Sequence, residues 1–312
     1  MKKFLVRILI FAALTVVIDF ACGALFPFLR ENAKGGRTRE EYFIAEKCEA
    51  EVLVFGSSRA LHHYVPSVIQ DSMGLSCFNC GKDGMGSVLA YARYMMLTDR
   101  YTPKLVIYDV APSFDYAADE DNTKYLGFLN PYSYKNGVYK AIVPYADLDA
   151  YLLMNSQMYR NNSHILSYMI DCLTNRHFSD SGYQAIHGRL RTNEPYDEIP
   201  VQDMTLEIDY GKINLIEEMI QDCQAKGTAF IFVMSPVYGG QYPRQQLQPA
   251  MDLAATYGVP FFDYSDVDEI VYNEAYFQDR THMNDDGARV FSKIVADAVV
   301  ENSVVPGRTQ EE

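Results

Sequence analysis

Glu51–Arg59 reads EVLVFGSSR. Val52 to Phe55 is a short unbroken apolar run, partly β-branched, and it is closed at once by Gly56. That pattern predicts a strand buried on both faces. Gly56-Ser57-Ser58 is then a tight turn at the strand's carboxyl end, where open α/β sheets bind their ligands. A serine on that turn can present its hydroxyl to a cleft.

Working outward, the rest of the chain supplies the sheet this strand needs. A helix is predicted over Val65–Met73, with Pro66 in its first turn. A short second strand follows at Ser76–Asn79, then a loop with Gly81, Gly84 and Gly86, and a helix over Val88–Asp99. Lys104–Val110, KLVIYDV, is the third strand. This β-α-β-α-β alternation implies parallel strands with right-handed crossovers. It resumes downstream with a helix over Ile213–Lys226 ended by Gly227, a fourth strand over Thr228–Pro236, a helix over Arg244–Tyr257 ended by Gly258, a fifth strand over Val259–Ser265 and a last helix over Asp285–Val299. The expected class is α/β: a three-layer, flavodoxin-like sandwich on a five-stranded parallel sheet, spanning 51–302. Residues 111–210 interrupt it after the third strand. They are tyrosine-rich and irregular, with helical patches at Asp147–Met158 and His164–Leu173, and a hundred residues is too long for an ordinary crossover. The stretch reads as an insertion that covers or borders the cleft.

Residues 1–29 begin MKKFLVR and continue apolar to about Phe28. That length crosses a bilayer, and Lys2, Lys3 and Arg7 place the amino end in the cytoplasm. The reading is an uncleaved single-pass anchor with the main domain outside the cytoplasm; a cleaved signal peptide is the alternative. Asp19 inside the apolar run calls for a partner helix or an interfacial position. Cys22 as a lipid-attachment site is disfavoured by Asp19 and Phe20 before it. Residues 30–50 read as a polar linker, and 303–312 as a disordered tail.

Among the 312 residues the formal charge is −14, and there are 24 tyrosines and no tryptophan. A deficit of Lys and Arg argues against a nucleic-acid partner. Tyrosine suits ordinary packing first and a sugar cleft second. Cys77 and Cys80 form a CxxC without a second pair at zinc-site spacing, and Cys77 falls in the second strand, so a buried thiol is preferred to a metal ligand. No cofactor or metal is expected.

The chemistry-bearing residues are Ser58, Asp279 and His282. A serine hydroxyl needs a base to take its proton, and histidine is the usual one. The base in turn needs its other ring nitrogen held. Asp279 and His282 stand three residues apart in FQDRTHMNDDG, before the last helix. His62 and His63 follow Ser58 directly, where a helix is expected to turn them away. His164, His177 and His187 lie in the insertion. GSSR and D-x-x-H are each weak motifs; their joint placement, one after the first strand and one before the last helix, is the stronger signal.

At these residues the chain resembles the SGNH, or GDSL-like, hydrolase superfamily, over roughly 50–110 and 211–300. The family's first block is Gly-Asp-Ser; Gly56-Ser57-Ser58 is similar to the Gly-Ser-Ser version of membrane-anchored relatives that act on envelope polymers, including alginate acetylation and teichoic-acid alanylation proteins. The resemblance implies Ser58 as nucleophile, His282 as base and Asp279 as its orienting acid. From the family's second block it implies Gly84 as an oxyanion amide, with Gly81 in reserve. The third block, Gly-x-Asn-Asp, is missing; Asp109-Val110-Ala111-Pro112-Ser113 stands there, so one side-chain oxyanion donor is lost or replaced, a change that typically costs ~10²–10³ in rate.

Arg59 is a candidate for binding an acidic sugar and equally for a salt bridge to a core acid. Asp109, at the end of the third strand, either borders the cleft or caps the next turn, and the cap is preferred. Two functions follow. One is a membrane-anchored serine esterase or O-acyltransferase acting on acylated, chiefly acetylated, envelope carbohydrate, with a membrane acyl-donor protein as partner if acyl groups are transferred. The other is a non-catalytic module that binds polysaccharide or an assembly partner.

Overall fold

Four consecutive apolar residues need cover on both sides, and Val52–Phe55 (β1) has it: all four are buried. The computed structural model describes residues 1–118, 126–145, 149–176, 179–190, 206–240 and 242–305. His177 and the tail from 306 lie outside the described residues, so the expectations placed on them are not taken further.

In chain order the helices are α1 (Lys2–Glu31), α2 (Gly36–Glu46), α3 (Ser58–His63), α4 (Pro66–Met73), α5 (Ser87–Thr98), α6 (Pro112–Asp115), α7 (Asn136–Ile142), α8 (Ala150–Asn155), α9 (Gln157–Asn161), α10 (Ile165–Leu173), α11 (Tyr210–Lys226), α12 (Gln248–Tyr257), α13 (Asp268–Val271) and α14 (Asp285–Glu301). The remaining strands are β2 (Cys77–Asn79), β3 (Leu105–Asp109), β4 (Ala229–Met234) and β5 (Phe261–Asp263). They form one all-parallel sheet in the order β2-β1-β3-β4-β5. This is the flavodoxin-like order, and its topological switch lies between β1 and β3.

The chain divides into two compact units, one of Met1–Lys47 with Lys124–Phe178, the other of Cys48–Thr123 with Ser179–Glu312. The second unit holds the sheet. Alternate strand residues meet different layers. Val52, Val54, Leu105, Ile107, Ile231 and Val233 pack with Ile69 and Met73 of α4 and with Phe291, Val295 and Val299 of α14. Phe55 turns the other way, its ring 6.2 Å from that of Tyr94 on α5. Cys77, in β2, is buried, and burial pushes its thiol above the ordinary range.

Part of the insertion belongs to this unit. Asn79 N donates to Ser181 O at 2.8 Å, extending the far edge of β2. The contact is very close: Gly182 has φ +89°, and a Cβ there would meet Asn79 O at 1.7 Å. Only glycine fits.

The first unit contains α1, α2 and α7–α10. The stretch 30–50, read as a linker, carries α2. Its buried residues include Thr38 and Glu41 beside Ile44 and Ala45. Two polar members on the inward face hide the helical period from a hydrophobicity reading. The helical patch at 147–158 divides at Ser156 into α8 and α9, because Ser156 Oγ accepts from Tyr159 N and caps a new helix; residues 146–148 lie outside the described residues. Asp19 finds its partner here. Its carboxylate accepts from Ser156 Oγ at 2.6 Å, Met158 N at 2.8 Å and Gln157 N at 3.1 Å, at the amino end of α9.

Candidate active site

The site is built on the turn after β1. Gly56 has φ +140°, and a Cβ there would lie 2.6 Å from Asp109 O of the neighbouring strand. The glycine therefore lets β1 pass close to β3 while the chain turns into α3, whose first residue is Ser58. Ser58 stands at the β1/β3 switch. The residues after β3, Ala111 and Ser113, face it across a cleft of about 270 Å³.

The second piece comes from the loop before α14. Asp279 Oδ1 accepts from Thr281 N and His282 N, both at 2.8 Å, which curls the loop around the carboxylate. The side-chain cap of α14 is a different residue, Asn284, accepting from Gly287 N at 3.0 Å. His282 Nδ1 lies 3.0 and 3.1 Å from the two Asp279 oxygens. Its Nε2 lies 2.8 Å from Ser58 Oγ. A tautomer with the proton on Nδ1 satisfies both: Nδ1–H donates to Asp279, and the serine hydroxyl donates to Nε2. Partial burial pushes the Asp279 carboxyl up, but the hydrogen bonds from the His282 ring, Thr281 N and His282 N outweigh it and hold the group below the usual carboxylate value. The acid is therefore ionised at neutral pH.

His62 and His63 are not turned away from the site. Their rings lie 5.7 and 6.5 Å from that of His282. Neither is hydrogen-bonded to Ser58: both His62 nitrogens and His63 Nε2 are engaged elsewhere. His62 faces Gln184 O at 2.7 Å and Asp83 at 3.0 Å. His63 Nε2 accepts from Met283 N at 3.0 Å, next to His282 in the chain. Burial, then the positive charges of Arg59, His282 and His62, hold the His63 imidazole well below its ordinary value. His63 thus positions the His282 segment in its neutral form. Its stability contribution is complete above about pH 6.5 and is lost as pH falls, since the unfolded chain takes up the proton that the folded one resists. A His63→Gln chain keeps an acceptor for Met283 N and removes the titration. Its urea midpoint should fall less than that of the wild type between about pH 7 and about pH 5; equal falls would show that His63 does not carry this acid sensitivity.

The two oxyanion candidates part company. Gly81 N donates to Asn79 Oδ1 at 2.9 Å, so its amide is already engaged. Asn79 holds the turn on its other side too, donating to Ala60 O at 2.6 Å and Tyr64 O at 3.0 Å. Gly84 has φ +67° and open space around it, and no hydrogen bond among the described residues takes up its amide. Lys82 N, two residues before it, donates to Gly56 O at 3.3 Å, which ties this loop to the turn that carries Ser58.

Arg59 is 4% exposed. Its Nε stands 3.7 Å from Asp109 Oδ1, its Nη atoms donate to Val110 O and Ser235 O, and its guanidinium lies 5.4 Å from the centre of the Tyr242 ring. Of the two readings open for Arg59, the salt bridge to a core acid is the one the geometry favours. Asp109, read as a cap, is instead fully buried and accepts from Tyr64 OH at 2.6 Å. The turn after β3 is held by Asp115, which accepts from Ala111 N at 2.6 Å and Tyr108 OH at 2.7 Å. Burial pushes the Asp115 carboxyl up to about 7.

Tyr238, Tyr242, Arg280 and Thr281 also line the cleft. Arg280 and Thr281 lie inside the D-x-x-H spacing, which was their available signal. Tyr238 and Tyr242 sit in a loop after β4 with no periodicity to single them out.

No protein-family model matches the chain, and no curated protein matches it. Among solved structures it is similar to a GDSL-like lipase from Bacteroides thetaiotaomicron VPI-5482, at 11% identity and TM-score 0.41, over 84% of this chain and 97% of that one. It is similar to an acetyl xylan esterase at 11% identity and TM-score 0.39, over 80% and 98%. A two-domain esterase active on acetylated mannans matches at 13% identity and TM-score 0.41, over 91% of this chain and 58% of that one. At such identities the chemistry has to be argued from this chain's own residues.

Proposed function

We propose that this chain is an SGNH-type serine esterase or O-acyltransferase working on acyl, chiefly acetyl, esters of envelope carbohydrate. The observation that carries the reading is His282, with Nε2 2.8 Å from Ser58 Oγ and Nδ1 on Asp279. In this mechanism Ser58 Oγ attacks the ester carbonyl carbon while His282 Nε2 takes the hydroxyl proton. The negative charge on the carbonyl oxygen is met by the amides of Ser58, at the start of α3, and Gly84. The tetrahedral adduct collapses, the sugar oxygen leaves with the proton from His282, and Ser58 keeps the acyl group. Water then attacks, giving up its proton to His282, and the carboxylic acid is released as the proton returns to Ser58. A second sugar hydroxyl in place of water makes the same sequence a transfer.

A cleft of about 270 Å³ is below the range of about 300–1,000 Å³ common for drug-sized ligands. It suits a short acyl group with the edge of one sugar ring. Lys2–Glu31 is long and apolar enough to cross a membrane. With the basic residues at its start this supports a single-pass anchor and a domain on the extracytoplasmic side. The test of the chemistry is a fluorophosphonate probe on the full-length protein in detergent. Labelling is expected at Ser58, with hydrolysis of a small aryl acetate. Absence of both would favour the non-catalytic module, for which the missing third block speaks.

A further inference from the structure

We propose that α10 flanks α1 at the outer boundary of the bilayer with its exposed face turned to lipid, so that the protein meets the membrane through a second helical face as well as through its anchor. The inference rests on the anchor reading above and goes beyond it.

The first observation is the outer face of α10. Leu166, Met169, Ile170 and Leu173 fall at i, i+3, i+4 and i+7, which is one face of a helix. All four are exposed, Leu166 at 69% and Leu173 at 80%. The buried face carries Tyr168 and Asp171. A helix on a water-facing surface has the opposite arrangement, apolar inward and polar outward. Exposed apolar side chains also stand on other elements of the same unit, with Tyr151 and Leu152 on α8 and Met158 on α9.

The second observation is where this face lies along α1. The Tyr168 ring packs 6.2 Å from Phe26, and Cys172 Sγ donates to Leu29 O at 3.1 Å. Residues four apart on α10 thus meet residues three apart on α1, and the two helices run side by side in the same direction. Leu25 and Phe28 of α1 are exposed at this level, so both helices present apolar side chains there. A 30-residue helix is about 45 Å long at a rise of ~1.5 Å per residue, against a hydrocarbon core of about 30 Å. With the basic start at the inner surface, the segment around Phe26 falls at the outer boundary of the hydrocarbon core, and α10, running along α1, stands beside it there.

The third observation is Asp19. A lone carboxylate in the apolar run is costly, yet three donors from Ser156, Gln157 and Met158 satisfy it. The amino end of α9 therefore meets α1 on the inner side of Phe26, so α9 and α10 flank the outer half of the anchor rather than stand above it. The occupant of the exposed face is the outer leaflet that α1 itself crosses.

The chain has no tryptophan, so one introduced tryptophan reports its own surroundings. The experiment uses four full-length variants, Phe11→Trp, Leu166→Trp, Leu173→Trp and Met251→Trp, each reconstituted into vesicles of phosphatidylcholine with plain or brominated acyl chains. Phe11 reports the anchor, and Met251, exposed on α12 of the other unit, reports a surface outside the proposed face. The expected result is blue-shifted emission lost to brominated lipid at positions 11, 166 and 173, and unquenched emission at 251. Quenching at 11 without quenching at 166 and 173 overturns the proposal and leaves the anchor standing. A blue shift at 166 and 173 that brominated lipid does not quench overturns it in favour of a second copy of the chain covering the stripe. No quenching at 11 removes the anchor reading, and the proposal with it.

Discussion

Ser58→Ala is expected to abolish turnover of a small aryl acetate, with kcat lower by about 10⁴-fold or more, and to leave the urea midpoint in place. The hydroxyl is the only atom lost. It sits on the first residue of α3, in a cleft, and its hydrogen bond is to His282, which is itself partly exposed. Water can replace that partner, and substitutions of this size away from the core usually shift stability by under about 0.5 kcal/mol. The chemistry has no such substitute. Without Oγ no acyl intermediate forms, and what remains is binding and whatever the oxyanion amides supply. Ser57→Ala is the control in the register one residue earlier. If Ser57→Ala removes turnover and Ser58→Ala does not, Ser57 is the nucleophile. If both variants keep full rate, the covalent route through this turn is wrong.

Arg59→Met is expected to destabilise the fold by about 3–5 kcal/mol at neutral pH, the usual cost of leaving a buried charge without its partner. The guanidinium is the positive group facing Asp109, which is fully buried. Burial pushes the Asp109 carboxyl above its ordinary value, opposed by the Arg59 charge and by the hydrogen bond from Tyr64. Removing Arg59 raises it further. A carboxyl with a raised folded pKa contributes its stability in acid and loses it as pH rises through that value. The deficit of the variant should therefore be small near pH 4 and grow towards about pH 8. Pairing it with Asp109→Asn should recover much of the loss. Urea midpoints at several pH values check both statements. A variant of unchanged stability whose KM alone rises would return Arg59 to the role of substrate ligand.

The sequence by itself was enough for the sheet, and it named three side chains, Ser58, Asp279 and His282, that the fold brings within hydrogen-bond distance of one another. Four partly β-branched apolar residues closed by glycine, in a run too short for a helix, point to a buried strand. The β-α alternation, with short connections, leaves few parallel topologies. Asp279 and His282 converge through a three-residue turn, a local geometry that any chain with that spacing can form. What remained illegible depends on atoms far apart in the sequence. Gly81 and Gly84 look alike as letters, but only the fold points Asn79 Oδ1 at the Gly81 amide. Arg59 and Asp109 are fifty positions apart, and neither a ligand role nor a cap could be separated from a buried pair until β1 and β3 lay side by side. The helix over Gly36–Glu46 was hidden because its inward face is half polar. The stripe on α10 was visible as an apolar period, but periodicity states only that a face is apolar. Whether that face turns to a core, to water or to lipid is decided by what packs on the other side of the helix, and that is tertiary structure alone.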